Sequence, residues 1–207
     1  ECFWPILHTF PTYFNVNNAN WKIFEEVNKC FAMAACVEAA EGATVWVHDY
    51  NLWLAPGYIR AERPDLKIAF FHHTPFPGND VFAILPWREQ ILESLLCCDV
   101  VGFHIPRYTE NFARAAITLV GAKRGPKVPV DKKFIEVGTA LSEGTVTSRL
   151  EHNGRTIQLL SSPVGTSPDL IQELCWSPSV ESHGELIVQD TKKGRKLILS
   201  ASRVDYT

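Results

Sequence analysis

Short apolar runs along the chain alternate with longer stretches in which apolar residues recur every three or four positions. Three of the apolar runs, which we predict as strands, lie at 44–47, 67–71 and 100–103. Three periodic stretches, which we predict as helices, lie at about 52–63, 86–98 and 106–119. Continuous apolar runs are typical of parallel strands, because both faces of a parallel sheet are buried. Strands that alternate with helices in this way predict a doubly wound, Rossmann-like parallel sheet of the α/β class.

Another helix is predicted before the first strand. Asn20 is suited to cap its start and Gly42 to end it, so we expect the helix to run from Trp21 to about Glu41. We predict that its buried face is an apolar stripe made of Ile23, Phe24, Val27, Phe31, Ala34 and Ala35.

The pattern is weaker beyond Gly121, where a short helix is predicted to begin near Ser167. Further strands are predicted at Val137, 145–147, 156–160 and 196–201. Residues 176–194 are rich in Ser, Pro, Gly and charge, as expected of an exposed connection. We therefore predict a first domain over 1–190 and the start of a second over 195–207. The chain has no initiator Met and stops just after a strand, so we expect a fragment of a larger protein.

Each of the three strands before Gly121 stops at polar residues. They are His48-Asp49-Tyr50, then His72-His73-Thr74, then His104 with Arg107. Ligands of parallel α/β sheets bind at the carboxyl ends of the strands. The three loops therefore predict one shared pocket for a sugar or a phosphate.

Asp49 has two interpretations that the pattern alone leaves open. Its carboxylate could accept hydrogen bonds from two sugar hydroxyls or act as a base. It could equally cap the following helix, which is worth about 0.5–2 kcal/mol.

His72 and His73 are adjacent in a strand, so they cannot share a face, and we expect one in the core and one in the site. The prolines at 75 and 77 stiffen this loop, which reduces the entropy lost when a ligand is held. Zinc is a competing interpretation. No further ligands lie at a suitable spacing, so we predict no metal.

The basic residues near the end of the third strand also have two interpretations. Arg107 could bind a phosphate beside free helix N–H groups, or it could pair with an acid such as Glu110. Five cations, which we expect on a solvated loop rather than at a phosphate, are Lys123, Arg124, Lys127, Lys132 and Lys133.

Composition narrows the function classes. The 207 residues are 46% hydrophobic with a net charge of −3, which gives no reason to expect nucleic acid or an anionic membrane as a partner. The six cysteines lack zinc spacing and are expected to be buried free thiols in a reducing cytoplasm. No apolar run approaches the roughly 18 residues of a membrane span. The sequence also lacks G-x-G-x-x-G, G-x-S-x-G and Walker motifs, so a dinucleotide oxidoreductase has no support.

Three long segments in this order resemble the retaining glycosyltransferases that make trehalose 6-phosphate and related products, glycosyltransferase family 20. The segments are VWVHDYNLWLAPGYIR, IAFFHHTPFPGNDVFAILPWREQILESLL and DVVGFHIPRYTENF. The segments 3–8 and 202–206 are similar to further motifs of the family, whereas 121–195 match more loosely. The resemblance therefore covers essentially the whole chain.

HDYN, HHTPFP and LPWREQILESLLCCD are most similar to the branch of the family that makes glucosylglycerol phosphate. That resemblance implies transfer of glucose from ADP-glucose to glycerol 3-phosphate, without a cofactor. It implies two Rossmann-like domains facing each other, the GT-B fold, truncated here at both ends. The implied partners are a nucleotide sugar and a sugar-phosphate or polyol-phosphate acceptor, and a homo-oligomer is left open.

The resemblance also assigns roles to individual residues. Asp49 would contact hydroxyls of the acceptor, and Trp4 would wall the acceptor pocket. His73 would meet the donor glucose, with Thr74 beside it. Arg203 would bind the donor diphosphate and stabilise the leaving group, because fixed cations favour developing negative charge. In the family, retention is attributed to attack on the face that the leaving phosphate vacates, so no protein nucleophile is required.

Two alternatives remain open from the sequence. One is an α,α-trehalose-phosphate synthase that uses UDP-glucose and glucose 6-phosphate. The other is a regulatory family member that keeps the fold without turnover.

Overall fold

The computed structural model describes residues 2–17, 20–136, 138–165 and 167–175. The chain divides into two compact units, Glu1–Pro163 and Val164–Thr207. The predicted domain boundary near 190–195 and the strand at 196–201 lie outside the described residues, as does Val137. The division into domains over 1–190 and 195–207 therefore stays a prediction.

The first unit contains most of the described helices and strands. Its helices are α1 Phe3–Leu7, α2 Trp21–Glu38, α3 Ala55–Glu62, α4 Asn79–Phe82, α5 Arg88–Leu95, α6 Pro106–Val120 and α7 Lys132–Glu136. Its strands are β1 Thr44–His48, β2 Lys67–His72, β3 Val100–Phe103, β4 Lys123–Arg124, β5 Lys127–Pro129, β6 Thr145–Thr147, β7 Arg149–His152 and β8 Arg155–Ser161. Short 3-10 turns lie at Pro11–Tyr13 and Tyr50–Leu52. In the second unit, α8 spans Pro168–Cys175.

A six-stranded sheet organises the first unit in the order β1-β2-β3-β8-β7-β4. The pairs β1–β2, β2–β3 and β3–β8 are parallel, whereas β7 pairs antiparallel with both β8 and β4. The predicted strands at 44–47, 67–71 and 100–103 are thus neighbours, and the predicted strand at 156–160 joins them. A separate two-stranded sheet pairs β5 with β6. The prediction of a parallel α/β sheet is confirmed.

The core lies between this sheet and the helices. Its largest fully buried side chains include Trp53, Phe70, Phe76, Phe82, Phe103 and Phe112. A small second cluster consists of Val130, Phe134 and Ala140. Burying an aromatic or large aliphatic side chain contributes about 1.5–3 kcal/mol. The aromatic residues near the carboxyl ends of β2 and β3 therefore form a rigid base for the loops that follow.

Asp99 ties the amino ends of the parallel strands together. Its carboxylate accepts from Arg60 at 2.7 Å, from Arg155 at 2.9 Å and from the backbone N–H of Ile68 at 2.8 Å. These bonds join α3, β2 and β8 at the edge opposite the polar loops. The amino ends of the strands are thus held by a structural ionic cluster, and the polar loops lie at the carboxyl ends.

The prediction for the buried face of α2 was wrong for most of the stripe, although Phe24 and Ala35 are partly buried against the core. Ile23, Val27 and Phe31 are 54%, 44% and 57% exposed, whereas Asn28, Ala32 and Cys36 are buried. The Asn28 side chain accepts from the N–H groups of Leu54 and Ala55 and donates to two carbonyls. Because apolar residues lie all around this helix, a buried amide with four hydrogen bonds decides which face packs inward.

Several helix boundaries also differ from the predictions. Helix α2 ends at Glu38, and the helix predicted over 52–63 is divided into a 3-10 turn and α3. The helix predicted over 86–98 is the shorter α5. The helix predicted over 106–119 is confirmed as α6, and Gly121, which follows its last residue, has a φ of 71°. Glycine adopts this left-handed conformation without the strain of a side chain.

Two further predictions need correction. The five cations at 123–133 do not form one solvated loop, because they contribute to β4, β5 and α7. Cys36 and Cys98 are buried as predicted, and Cys2 and Cys97 are half-buried. Cys30 is exposed because it lies on the outward face of α2, and Cys175 on α8 is exposed as well. Among the described residues, no helix is long and apolar enough to cross a membrane.

Candidate active site

Asp49 connects the loops that follow β1 and β2. Its Oδ1 accepts from the backbone N–H groups of His73 and Thr74, both at 3.2 Å, and from Thr74 Oγ1 at 3.1 Å. Its own N–H donates to the carbonyl of Phe71 at 2.8 Å. All three bonds to the carboxylate use Oδ1, which leaves Oδ2 for a different donor. The two loops therefore meet at one edge of the sheet, as predicted.

The backbone of Asp49 is strained. Its φ of 62° and ψ of 172° lie in a region that is essentially reserved for glycine. Such a conformation costs about 1–3 kcal/mol and persists only where its surroundings enforce it. Although Asp49 immediately precedes the 3-10 turn, its side chain makes no capping hydrogen bond there. The helix-cap interpretation is therefore not supported. In this conformation the carboxylate faces the loop after β2 and hydrogen-bonds to His73 and Thr74.

His72 and His73 divide between core and surface as predicted. His72 is fully buried among aromatic rings, and its Nδ1 lies 2.7 Å from the carbonyl of Thr74. A carbonyl only accepts, so Nδ1 carries the proton and the buried Nε2 is the bare nitrogen. Burial lowers the pKa of His72 to about 4, so the ring is neutral at pH 7. His72 thus supports the loop, and His73 faces the exposed edge.

Three histidines form a row across the ends of β1, β2 and β3. His48 Nδ1 lies 2.9 Å from His73 Nε2, and their rings stack with centroids 5.2 Å apart. The ring of His104 lies edge-on to His73 at 5.7 Å. Burial, and then the proximity of His73, lowers the pKa of His104. The row presents ring nitrogens along one edge beside the Asp49 carboxylate.

Phe71 on β2 packs against two of these three histidines. Its ring lies 4.9 Å from that of His73 and 5.0 Å from that of His104. A Cβ at Gly102 on the adjacent strand would lie 2.8 Å from Phe71 Cδ2, closer than such atoms approach in proteins. Gly102 therefore leaves the space in which Phe71 packs. The positions of both rings depend on this glycine.

Trp4 lies in α1 next to Phe3, and the Phe3 side chain connects this helix to the core. Phe3 packs against Tyr50 and Trp53, with ring centroids at 6.4 and 5.1 Å. Trp4 itself is half-buried, and its ring lies against that of His8, tilted by 33° with the ring centroids 3.6 Å apart. This packing holds α1 against the loop that contains Asp49. The predicted role of Trp4 as a wall of the acceptor pocket stays a prediction.

Arg107 does not pair with Glu110, contrary to one of the two interpretations of the sequence. Its guanidinium instead donates to Glu143 at 2.6 Å and to the hydroxyl of Ser142. These residues lie in the loop between α7 and β6, so Arg107 fixes that loop to the start of α6. A pairing with a residue 36 positions away could not be found from local spacing.

Glu110 is the buried centre of a separate ionic network. It accepts from Arg124, from Lys127 at 3.1 Å and from the hydroxyl of Thr147 at 2.8 Å. Burial alone would raise its pKa, but these donors outweigh burial and lower the pKa to about 2. Arg124 and Lys127 therefore neutralise a structural carboxylate rather than offering a phosphate site.

The other predicted residues are distributed as follows. Thr74 adjoins Asp49 through two hydrogen bonds, whereas Arg203 lies outside the described residues. In the part of the chain that the structure describes, no three His, Cys, Asp or Glu side chains converge as metal ligands would. Sequence reasoning missed the bond between His48 and His73. It follows from the register of β1 and β2, in which His48 pairs with Phe71 and His73 follows Phe71 by two positions, and the sequence carries no signal of that register.

A strained aspartate and a row of histidines at the carboxyl edge of a parallel sheet agree with the motifs quoted above. The family model for glycosyltransferase family 20 matches residues 1–207. The chain belongs to glycosyltransferase family 20. The resemblance inferred from the three loop segments is thereby confirmed.

Relatives within the family differ in how similar they are to the chain. It is 52% identical to glucosylglycerol-phosphate synthase of Synechocystis sp. over 206 residues, which are 100% of the chain and 41% of the relative. It is 49% identical to the enzyme of the same name from Picosynechococcus sp., with the same two coverages. Trehalose-6-phosphate synthase of Mycobacterium sp. is 36% identical over 99% of the chain and 39% of the relative. The chain thus spans about two fifths of the length of these curated relatives.

Solved structures of the family share the fold. A UDP-forming α,α-trehalose-phosphate synthase from Burkholderia xenovorans gives a TM-score of 0.75 at 22% identity, over 99% of this chain and 41% of that one. The α,α-trehalose 6-phosphate synthase of Burkholderia multivorans gives 0.74 at 23% identity, over 99% and 40%. At these identities the likeness establishes the fold class of the family.

Proposed function

We propose that this chain forms the acceptor half of a retaining glycosyltransferase that makes glucosylglycerol phosphate. The donor is ADP-glucose and the acceptor is glycerol 3-phosphate. The observation that carries this proposal is the gap between 52% identity to a glucosylglycerol-phosphate synthase and 36% identity to a trehalose-6-phosphate synthase. The predicted cytoplasmic location agrees with a reaction that consumes a nucleotide sugar.

Asp49 binds the acceptor in this proposal. Its Oδ1 is occupied by three donors from the loop after β2, so Oδ2 is the oxygen that accepts from a hydroxyl of glycerol 3-phosphate. A hydrogen bond that involves a charged group is worth about 1.5–3 kcal/mol. The same carboxylate thus binds the acceptor and fixes the loop containing His73. Trp4 provides an apolar wall on the α1 side of this pocket.

His73 and Thr74 serve the donor glucose at the reacting face. Their backbone N–H groups are held by Asp49, so acceptor and donor contacts are built on one rigid element. Positioning two reactants in this way lowers the barrier without a covalent intermediate. This positioning role would explain why the protein keeps Asp49 in a strained conformation that lowers its stability.

Arg203 stabilises the leaving group in this proposal. Transfer breaks the bond between the anomeric carbon and the diphosphate oxygen, and negative charge develops on the ADP that departs. A fixed cation at that oxygen lowers the barrier, as oxyanion donors do. The hydroxyl of the acceptor attacks from the same face, and its proton passes to the departing phosphate. This accounts for retention without a protein nucleophile.

The test is a matrix of two donors and two acceptors supplied to the full-length protein. We expect ADP-glucose with glycerol 3-phosphate to give the product of glucosyl transfer, with the α configuration retained in its NMR spectrum. His73→Gln should abolish most of this activity, and Cys30→Ser, which changes an exposed residue on α2, should leave it unchanged.

The other outcomes of this matrix identify the alternatives. Preference for UDP-glucose with glucose 6-phosphate would make the protein a trehalose-phosphate synthase and would refute the proposed substrates. A folded protein that turns over none of the four combinations would support the regulatory alternative and refute the proposed activity.

A further inference from the structure

The hydrogen bond between His48 and His73 follows from the registers of the strands that carry them. The registers of β1–β2 and β2–β3 pair His48 with Phe71 and Phe71 with Gly102. His73 and His104 each follow one of these partners by two positions, so all three histidines lie on the same face of the sheet. The alternation of strand side chains thus directs three rings into one row. His48 occupies the end of that row on β1.

This hydrogen bond couples the proton positions of the His73 ring to those of the His48 ring. In a neutral pair, one proton lies between His48 Nδ1 and His73 Nε2, which are 2.9 Å apart. If His48 donates it, the other nitrogen of His73, Nδ1, is a donor. If His73 donates it, Nδ1 is an acceptor. Which nitrogen of a histidine is protonated follows from the bond that the other nitrogen makes.

His73 is surrounded by groups from each neighbouring element that affect its proton. His48 and Asp49 face it from β1 and the following loop, His72 precedes it, and His104 faces it from the loop after β3. His72 is neutral because burial lowers its pKa to about 4, and burial lowers the pKa of His104 as well. His48 makes its hydrogen bond to a ring nitrogen of His73, whereas His104 is hydrogen-bonded to the His73 backbone.

We propose that His48 is a positioning residue that fixes the tautomer and the ring orientation of His73 for glucosyl transfer. The proposal rests on the function proposed above, in which His73 meets the donor glucose. A ring that hydrogen-bonds through one nitrogen presents the other nitrogen to the substrate with one defined donor or acceptor character. Without His48, the ring rotates and its tautomers mix, so only part of the population is competent.

The experiment compares two substitutions of His48 in the full-length protein. His48→Leu removes the hydrogen bond, whereas His48→Asn keeps a polar atom at the position of Nδ1. We expect His48→Leu to lower kcat by about 10- to 100-fold while KM for the acceptor changes little, because misplacement of a reacting group costs up to about 10²-fold. We expect His48→Asn to restore most of kcat, and the pH profile of kcat to shift in His48→Leu.

Trp46→Leu is the matched control. Trp46 lies on the same strand, its ring centroid is 4.5 Å from that of His48, and it is 64% exposed. It contributes packing to His48 but no hydrogen bond to His73. A surface substitution of this kind typically changes free energies by at most about 0.5 kcal/mol, so kcat should stay within about twofold. Equal losses in Trp46→Leu and His48→Leu would overturn the proposal.

An NMR measurement separates this proposal from the proposed function. The ¹⁵N shifts of the imidazole nitrogens distinguish protonated from bare nitrogen, and those of His73 are assigned by their loss in His73→Gln. We expect one defined tautomer in the wild type at pH 8 and averaged shifts in His48→Leu. Identical shifts in the two proteins would refute the positioning role even if transfer occurs. A defined tautomer lost in His48→Leu, in a protein without transfer, would refute only the proposed function.

Discussion

Replacing Asp49 by asparagine should damage use of the acceptor far more than stability. Asn can keep its oxygen where Oδ1 accepts from His73 and Thr74, but its NH₂ group cannot accept from a hydroxyl of the acceptor as Oδ2 does. Loss of one charged hydrogen bond costs about 1.5–3 kcal/mol. This corresponds to a decrease of about 10- to 150-fold in kcat/KM for the acceptor. KM for the donor should change much less.

The backbone strain of Asp49 provides an independent stability test. Asp49→Ala and Asp49→Gly both remove the three bonds to Oδ1, but only glycine relieves a φ of 62° with a ψ of 172°. Glycine is ordinarily less stable than alanine inside a helix or strand, by about 0.5–1 kcal/mol. At position 49 we expect the reverse, with the glycine variant more stable by about 1–3 kcal/mol.

Two assays on the full-length protein measure these effects. Initial rates with varied glycerol 3-phosphate at saturating ADP-glucose give kcat/KM, and the unfolding midpoint in urea gives the stability of each variant. Unchanged kinetics in a folded Asp49→Asn protein would contradict the assigned role in acceptor binding. An alanine variant more stable than the glycine variant would contradict the argument from strain.

Three further predictions address other residues. Arg203→Ala should lower kcat by about 10²–10³-fold with little effect on KM for the acceptor, because a hydrogen-bond donor aimed at the charge on the leaving group is lost. Steady-state kinetics would measure this change, and an unchanged kcat would exclude the role. Glu110→Gln should cost about 1.5–3 kcal/mol in urea unfolding at pH 7. The folded-state pKa of Glu110 is lowered from 4.5 to about 2, so the stability that its charge provides is lost as pH falls through that range. The difference in unfolding free energy between the wild type and Glu110→Gln should therefore shrink at low pH. A difference independent of pH would count against the network. His72 is protonated near pH 6.5 when unfolded and only near pH 4 when folded, so it contributes to a loss of stability as pH falls between these values; thermal unfolding should show a smaller loss in His72→Asn.

The sequence by itself determined the parallel sheet and its polar edge. Apolar runs at 44–47, 67–71 and 100–103 indicate the parallel strands, and their polar ends indicate the edge at which the loops meet. Burial on both faces does not hold for β1, which is the outermost strand of the sheet and leaves Trp46 64% exposed. The period of two residues in a strand also separated buried His72 from exposed His73. The alternation follows from local geometry, because successive side chains of a strand point to opposite faces whichever strand lies alongside.

Only the tertiary structure decided which side chains meet. The pairing of Arg107 with Glu143, and that of His48 with His73, depend on loop paths and strand registers that bring distant residues within hydrogen-bond distance. The buried face of α2 depends on Asn28, because three of the four hydrogen bonds of its amide go to backbone groups 23 to 27 positions away. A sequence pattern ranks residues by hydrophobicity, but a buried polar group is stable only where its specific partners lie. Those partners exist only once the chain has folded.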